Sequence, residues 1–297
     1  MQKELKYLLY LLEDEDKEVY TNISTKLVSY STTILPQLED AYDESLITGN
    51  VLLEERLIQV MDKINYELVS KSFQNWLQNH PNDLLQAMIL IAKYQYRDLN
   101  EQRIQENIEE IVNNIDFEIS RYNPPLQSVS IINKVLYDTY EFTTVANKEN
   151  AEKHFALNHI LSLKKGVPVS IAILYLIIAS KLDIPISGIL LNNNLVLAYF
   201  KRHGGWKKPA PKLQFYINPQ DKGAIFTSNT LKDYLHESKI PFQPSYDKPA
   251  CNLQIIKFAL EHLAQTYHNA GQYGKVKDMQ AWVSELNTAL SNYNSNW

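Results

Sequence analysis

Four features of this sequence carry side chains able to do chemistry, and each has a plainer structural reading. Cys251 is the single thiol of the chain and stands just before a run with helical spacing. A helix N-terminus depresses a thiol pKa and favours the nucleophilic thiolate. Its neighbours Pro249, Ala250, Asn252 and Leu253 also read as a helix entry, with the cysteine packed as a small apolar group. Ser170 opens a long apolar run, but a serine nucleophile needs a base beside it, and the next histidine along the chain is His203 in a polar loop. The expectation for Ser170 is a small residue capping or packing in a first helical turn. His154 and His159 are five residues apart and form no His-x-x-x-His or His-Glu-x-x-His pattern. That spacing does not put both on one helical face, so hydrogen-bonded core or surface histidines are expected and no metal site. Residues 201–208 combine Lys201, Arg202, His203, Lys207 and Lys208 with Trp206. Such a loop could hold an anionic partner or nucleic acid, and reads first as a solvated hairpin loop.

The elements that must position these groups follow from periodicity. Leu5, Leu8, Leu9 and Leu12 recur at helical spacing, as do Val19, Ile23 and Leu27, and then Leu84, Leu85, Met88, Ile91 and Ala92. Residues 1–120 therefore read as helices. Asp14–Asp16 can start a second helix, Pro36 ends or kinks one, and 79–83 breaks the chain before a new N-cap. Residues 169–182 are apolar on nearly every face, which predicts a helix enclosed by protein. After Pro185 come three β-type runs, 186–191, 195–200 and 213–217, with a turn expected at Asn192, Asn193 and Asn194. Beyond Pro249 the chain reads as two helices, with Asn252 as N-cap of the first and Gly271 and Gly274 in the turn between them.

Whole-chain properties narrow the function classes. At 297 residues the chain can bury a substantial core without staples. One cysteine excludes an internal disulfide and fits a reducing compartment, so a cytoplasmic location is expected. The N-terminal apolar stretch is interrupted by Lys6 and followed by acidic residues, the wrong flank order for a signal peptide. The longest apolar run, 171–180, is half of the roughly 20 residues that a bilayer-spanning helix requires. No membrane span is expected. A net charge of −5 argues against a dedicated polyanion binder.

Gly166, Val167, Pro168, Val169 and Ser170, running on to Leu182 and Pro185, resemble the central helix of the transglutaminase-like superfamily. In active members a Gly-x-Cys turn sets a cysteine at the start of this helix, and the next two strands supply His and Asp. Laid on that pattern without gaps, the cysteine position is Pro168, the His position Asn194 and the Asp position Asn218. Proline has no nucleophilic atom, and a carboxamide exchanges no proton near neutral pH. Asn218 alone would be tolerable, since Cys-His-Asn sets are competent. The closer similarity is to a bacterial branch of this superfamily, carried by Asn158, Leu161, Leu174, Tyr175, Leu182 and Pro185 over roughly residues 60–290. That branch has a helical N-terminal part and a tetratricopeptide-like tail, to which Leu263, Tyr267, Gly271 and Tyr273 are similar. It commonly has Pro at the nucleophile position but often keeps Gly-His-Phe at the His position, so Asn194 departs even from it. The opening hairpin, through Leu8, Leu9, Val19, Leu27 and Leu35, resembles one HEAT-type unit.

The resemblance implies a mainly helical α+β fold with a small antiparallel-sheet, papain-like core. Its expected divisions are a HEAT-like cap at 1–60, a helical region at 61–150, the transglutaminase-like core at 151–245 and a helical pair at 246–297. The implied function is that of a pseudoenzyme, needing no cofactor and no metal, that binds a peptide or protein partner or acts as a scaffold. Its cleft is expected around Pro168, Asn194 and Asn218, with Ser170, Tyr175 and Tyr216 nearby; an amide-lined pocket forms if the two asparagines face the start of the central helix. The competing expectation is a weak hydrolase or thiol enzyme using Ser170 or Cys251.

Overall fold

In a computed structural model, which describes residues 2–120, 122–145, 151–201 and 211–295, the chain divides into two compact units, 1–72 and 73–297. The first is built of helices α1 (Gln2–Leu12), α2 (Lys17–Ser29), α3 (Leu35–Thr48) and the first part of α4 (Val51–Asn79). Asp16 starts α2 by accepting a hydrogen bond from the Glu18 amide at 2.7 Å. The break expected at Pro36 falls earlier, in a 3-10 turn at Ser31–Ile34, and Pro36 sits in the first turn of α3. There its missing N–H costs nothing, because first-turn amides have no partner within the helix. Gly49, with φ of 71°, closes α3 in the left-handed conformation that glycine adopts without penalty. Leu5, Leu8, Leu12, Leu27, Leu38, Leu57 and Met61 form the core of this unit.

The second unit carries the candidate site. Asp83 caps α5 (Leu84–Gln95) through the Gln86 amide, 2.9 Å. Helix α6 (Glu101–Glu118) buries a single stripe of Ile104, Ile108, Ile111 and Ile115, the spacing of one helical face. Helix α7 (Pro125–Asn133) runs into a π-helical turn at Lys134–Thr139. A two-residue strand β1 (Thr143–Thr144) then pairs in parallel with β2 (Lys165–Gly166), which follows α8 (Leu157–Leu163). Helix α9 (Pro168–Lys181) is buried at every position from Val169 to Ala179, as its all-round apolar sequence predicts.

Strands β3 (Ile186–Leu191), β4 (Asn194–Lys201), β5 (Lys212–Asn218) and β6 (Ala224–Phe226) form an antiparallel sheet in chain order. The bends between β3 and β4 centre on Asn192, whose φ of 50° is one that asparagine tolerates. Both faces of the sheet are covered. Helix α9 packs on one face. On the other, Ile189, Val196, Ala198 and Tyr216 meet Leu231 and Leu235 of α10 (Ser228–Glu237) and Tyr246. Strand β6 and helix α10 had no counterpart in the sequence reading, because β6 is three residues long and two of those are exposed.

Helices α11 (Asn252–Asn269) and α12 (Tyr273–Ser295) pack as a pair. The α11 N-cap is Cys251 instead of Asn252. The Cys251 amide donates to Gln254 Oε1 at 2.9 Å, closing a capping box, while the Asn252 side chain donates to the Asn82 carbonyl at 2.6 Å. An amide already committed to a loop carbonyl is not free to cap its own helix. Trp282 of α12 stacks on Phe73 at 4.8 Å, and burial of two such rings stabilises the unit by about 3–6 kcal/mol. The result is a helical α+β fold, and among the described residues no helix is long and apolar enough to cross a membrane.

Candidate functional site

The start of α9 is fixed by its approach. Val167, extended at ψ of 153°, serves as N-cap, and its carbonyl accepts from the Ser170 and Ile171 amides. Its own amide donates to the His154 carbonyl at 3.0 Å. Gly166 is needed because a Cβ there would stand 2.9 Å from Ile171 Cδ1 and 3.1 Å from Ile160 Cγ1. Pro168 thereby occupies the first helical position and lines a cavity of about 180 Å3.

The opposite wall comes from the β3–β4 hairpin and α11. Asn194, the first residue of β4, lines the cavity with Asn193 and Leu195. Asn218, the last residue of β5, lies one step behind: its side chain accepts from the Gln220 amide at 3.1 Å. The Gln220 side chain in turn lines the cavity and donates to Asn194 Oδ1 at 3.4 Å. Asn218 thus holds the Gln220 main chain while the Gln220 side chain meets Asn194, and of the two asparagines only Asn194 reaches the cavity. Committing Asn194 Oδ1 to Gln220 leaves its Nδ2 as the free donor.

Helix α11 brings Phe258, His262 and Thr266 to the same cavity, a contribution the sequence reading missed. These residues recur every fourth position, which puts them on one helical face. That spacing was the available signal. His262 Nδ1 lies 3.0 Å from the Phe258 carbonyl, and the two rings are 4.2 Å apart. A carbonyl can only accept, so in the neutral imidazole the proton sits on Nδ1 and Nε2 is a lone-pair acceptor. The Thr266 hydroxyl donates back to the His262 carbonyl at 3.0 Å. The walls Phe155, Val167, Val169, Leu195 and Phe258 are buried, whereas Asn193, Asn194 and Gln220 are exposed. The site is a small apolar well with an uncharged polar rim and one half-buried imidazole.

Ser170, Tyr175 and Tyr216, expected near the cleft, lie elsewhere and are fully buried. A hydroxyl inside an apolar helix or sheet must find an acceptor, and each has one. Ser170 Oγ donates to the Phe155 carbonyl at 3.1 Å, and Tyr216 to the Tyr246 carbonyl at 2.9 Å. Tyr175 donates to Asn133 Oδ1 at 3.0 Å, and burial pushes its phenol well above the ordinary range. Cys251 is half-buried at the α11 N-cap and does not line the cavity. His159 packs against Tyr96 at 4.7 Å, and burial, then Lys153 and His154, hold its pKa below that of a free imidazole. His154 has a buried Nδ1 with no partner. Among the described residues no three His, Cys, Asp or Glu side chains converge on a metal position. Of the basic loop 201–208, only Lys201 lies within the described residues.

Residues 102–260, more than half of the chain, match the family model described as Transglutaminase-like superfamily. The match begins at α6 and ends within α11, two residues before His262. No curated protein and no solved structure matches the chain.

Proposed function

Since the chain belongs to the transglutaminase-like superfamily, we propose that it is a non-catalytic member that binds a peptide segment of a partner protein in the well at the start of α9. The observation that carries this reading is the pairing of Pro168 with Asn194 on one cavity. At the positions that the family resemblance assigns to nucleophile and base stand a ring without a reactive atom and a carboxamide without a titratable proton. Apolar walls and a rim of amides suit recognition of a side chain and its flanking peptide groups better than bond cleavage. In this reading the core is 151–245, and the HEAT-like hairpin at 1–60, the helical region at 61–150 and the tetratricopeptide-like pair at 246–297 each offer a further partner surface. A single thiol suits a reducing bacterial cytoplasm.

The competing hydrolase reading has less to support it. The Ser170 hydroxyl is buried and already donates to a carbonyl, and Cys251 caps a helix away from the cavity. The experiment is turnover of activated ester and amide substrates by the intact protein. The proposal expects the uncatalysed rate, unchanged in Ser170→Ala and Cys251→Ala. Turnover that His262→Gln abolishes would overturn it.

A further inference from the structure

We infer that the side chain held in the well is a phenol, the tyrosine of a partner peptide, with its hydroxyl donating to His262 Nε2. This rests on the binding reading above and goes beyond it by naming the occupant. Size supplies the first argument. A dry cavity of roughly 150 Å3 holds a benzene ring, so a well of about 180 Å3 admits one six-membered ring with one further polar atom.

Shape and polarity supply the second. Phe155, Leu195 and Phe258 are buried apolar walls, two of them aromatic, and Pro168 lines the same well, so an aromatic body is favoured over a flexible chain. Among the described residues no Lys, Arg, Asp or Glu lines the cavity, which disfavours a charged occupant, since desolvating an unpaired charge is costly.

Hydrogen bonding supplies the third. The Phe258 carbonyl fixes the imidazole so that its unengaged nitrogen accepts. A phenol offers the complementary donor, and its oxygen can still accept. The free Asn194 Nδ2, its oxygen held by Gln220, then donates at the exposed rim to the carbonyl next to the inserted residue. Phenylalanine would fill the well but leave the imidazole nitrogen desolvated without a partner, the penalty that discriminates most strongly between isosteres.

The test is titration of the full chain, followed by NMR, with N-acetyl-tyrosinamide, N-acetyl-phenylalaninamide and N-acetyl-leucinamide. The tyrosine compound should bind about fivefold more tightly than the phenylalanine compound. That preference should vanish in His262→Phe, which keeps a ring and removes both nitrogens. Asn194→Trp, at an exposed rim position, should block all three compounds without touching the core. Equal binding of the tyrosine and phenylalanine compounds, or preference for leucine, would overturn the phenol assignment and leave the binding reading standing. Failure of all three, with ligand-induced shifts in the parent no larger than those in Asn194→Trp, would overturn the binding reading itself.

Discussion

Gly223→Ala is the sharpest test of how the strands behind the cavity are held. Gly223 has φ of 73°, and a Cβ there would stand 2.1 Å from Asn133 Oδ1. Asn133 accepts from the Tyr175 hydroxyl and donates to the Gly223 carbonyl at 2.8 Å, tying α7 both to the buried α9 and to the start of β6. The left-handed backbone costs an alanine about 1 kcal/mol. Expelling the Asn133 side chain forfeits two hydrogen bonds and leaves the buried phenol without an acceptor, about 3 kcal/mol more. Gly271 is the internal control, since its φ of 72° matches and nothing lies within 4 Å of its missing Cβ. Gly271→Ala should cost only the backbone share, about 1 kcal/mol. Urea unfolding read by tryptophan fluorescence is the assay: all four tryptophans fall in residues 73–297, so the signal reports the second unit alone. Adding Asn133→Ala removes the obstacle, so the double variant should be at least about 1 kcal/mol more stable than the two single losses predict. Additive losses, or a Gly223→Ala cost equal to that of Gly271→Ala, would refute the bridge.

Three further outcomes follow from particular contacts. Cys251→Ser should be as stable as the parent or more so, because serine caps better than a thiol, whereas Cys251→Ala should lose about 0.5–1 kcal/mol; urea midpoints decide it. Ser170→Ala should cost about 1–2 kcal/mol by stranding the buried Phe155 carbonyl, while peptide-amide binding in the well is unaltered. His159 has its pKa lowered in the folded state, chiefly by burial. Below the unfolded value of about 6.5 the unfolded chain therefore binds more protons, and stability falls as pH drops from there through the folded pKa. Replacing His159 with Gln should flatten that stretch of the stability profile, and an unchanged slope just below about pH 6.5 would refute the assignment.

Legibility in the sequence tracked how local each signal was. The apolar run at 169–182 gave the buried helix within a residue of its observed start, because a helix enclosed on all sides needs apolar residues at every phase. The runs 186–191, 195–200 and 213–217 gave β3, β4 and β5 to within a residue at either end. The cap at Asn252 slipped by one position because its side chain was claimed by Asn82, 170 positions away. Ser170, Tyr175 and Tyr216 drew attention as polar atoms near the motif, yet their carbonyl and amide acceptors come from other elements. His262 was passed over for the same reason: nothing near it in sequence marks it as a neighbour of Pro168.

From the sequence alone came the inventory: the N-terminal helices, the enclosed helix, strands β3 to β5 and the final helical pair, and that Pro168, Asn194 and Asn218 offer no nucleophile or titratable base. Only the tertiary structure decided that Asn218 stands back behind Gln220, that Asn194 keeps one free amide donor, and that an imidazole from α11 enters the well. The physical reason is range. Periodicity and side-chain chemistry are properties of neighbouring residues, whereas a cavity is made where α9, the β3–β4 hairpin and α11 meet, and no local pattern records that convergence.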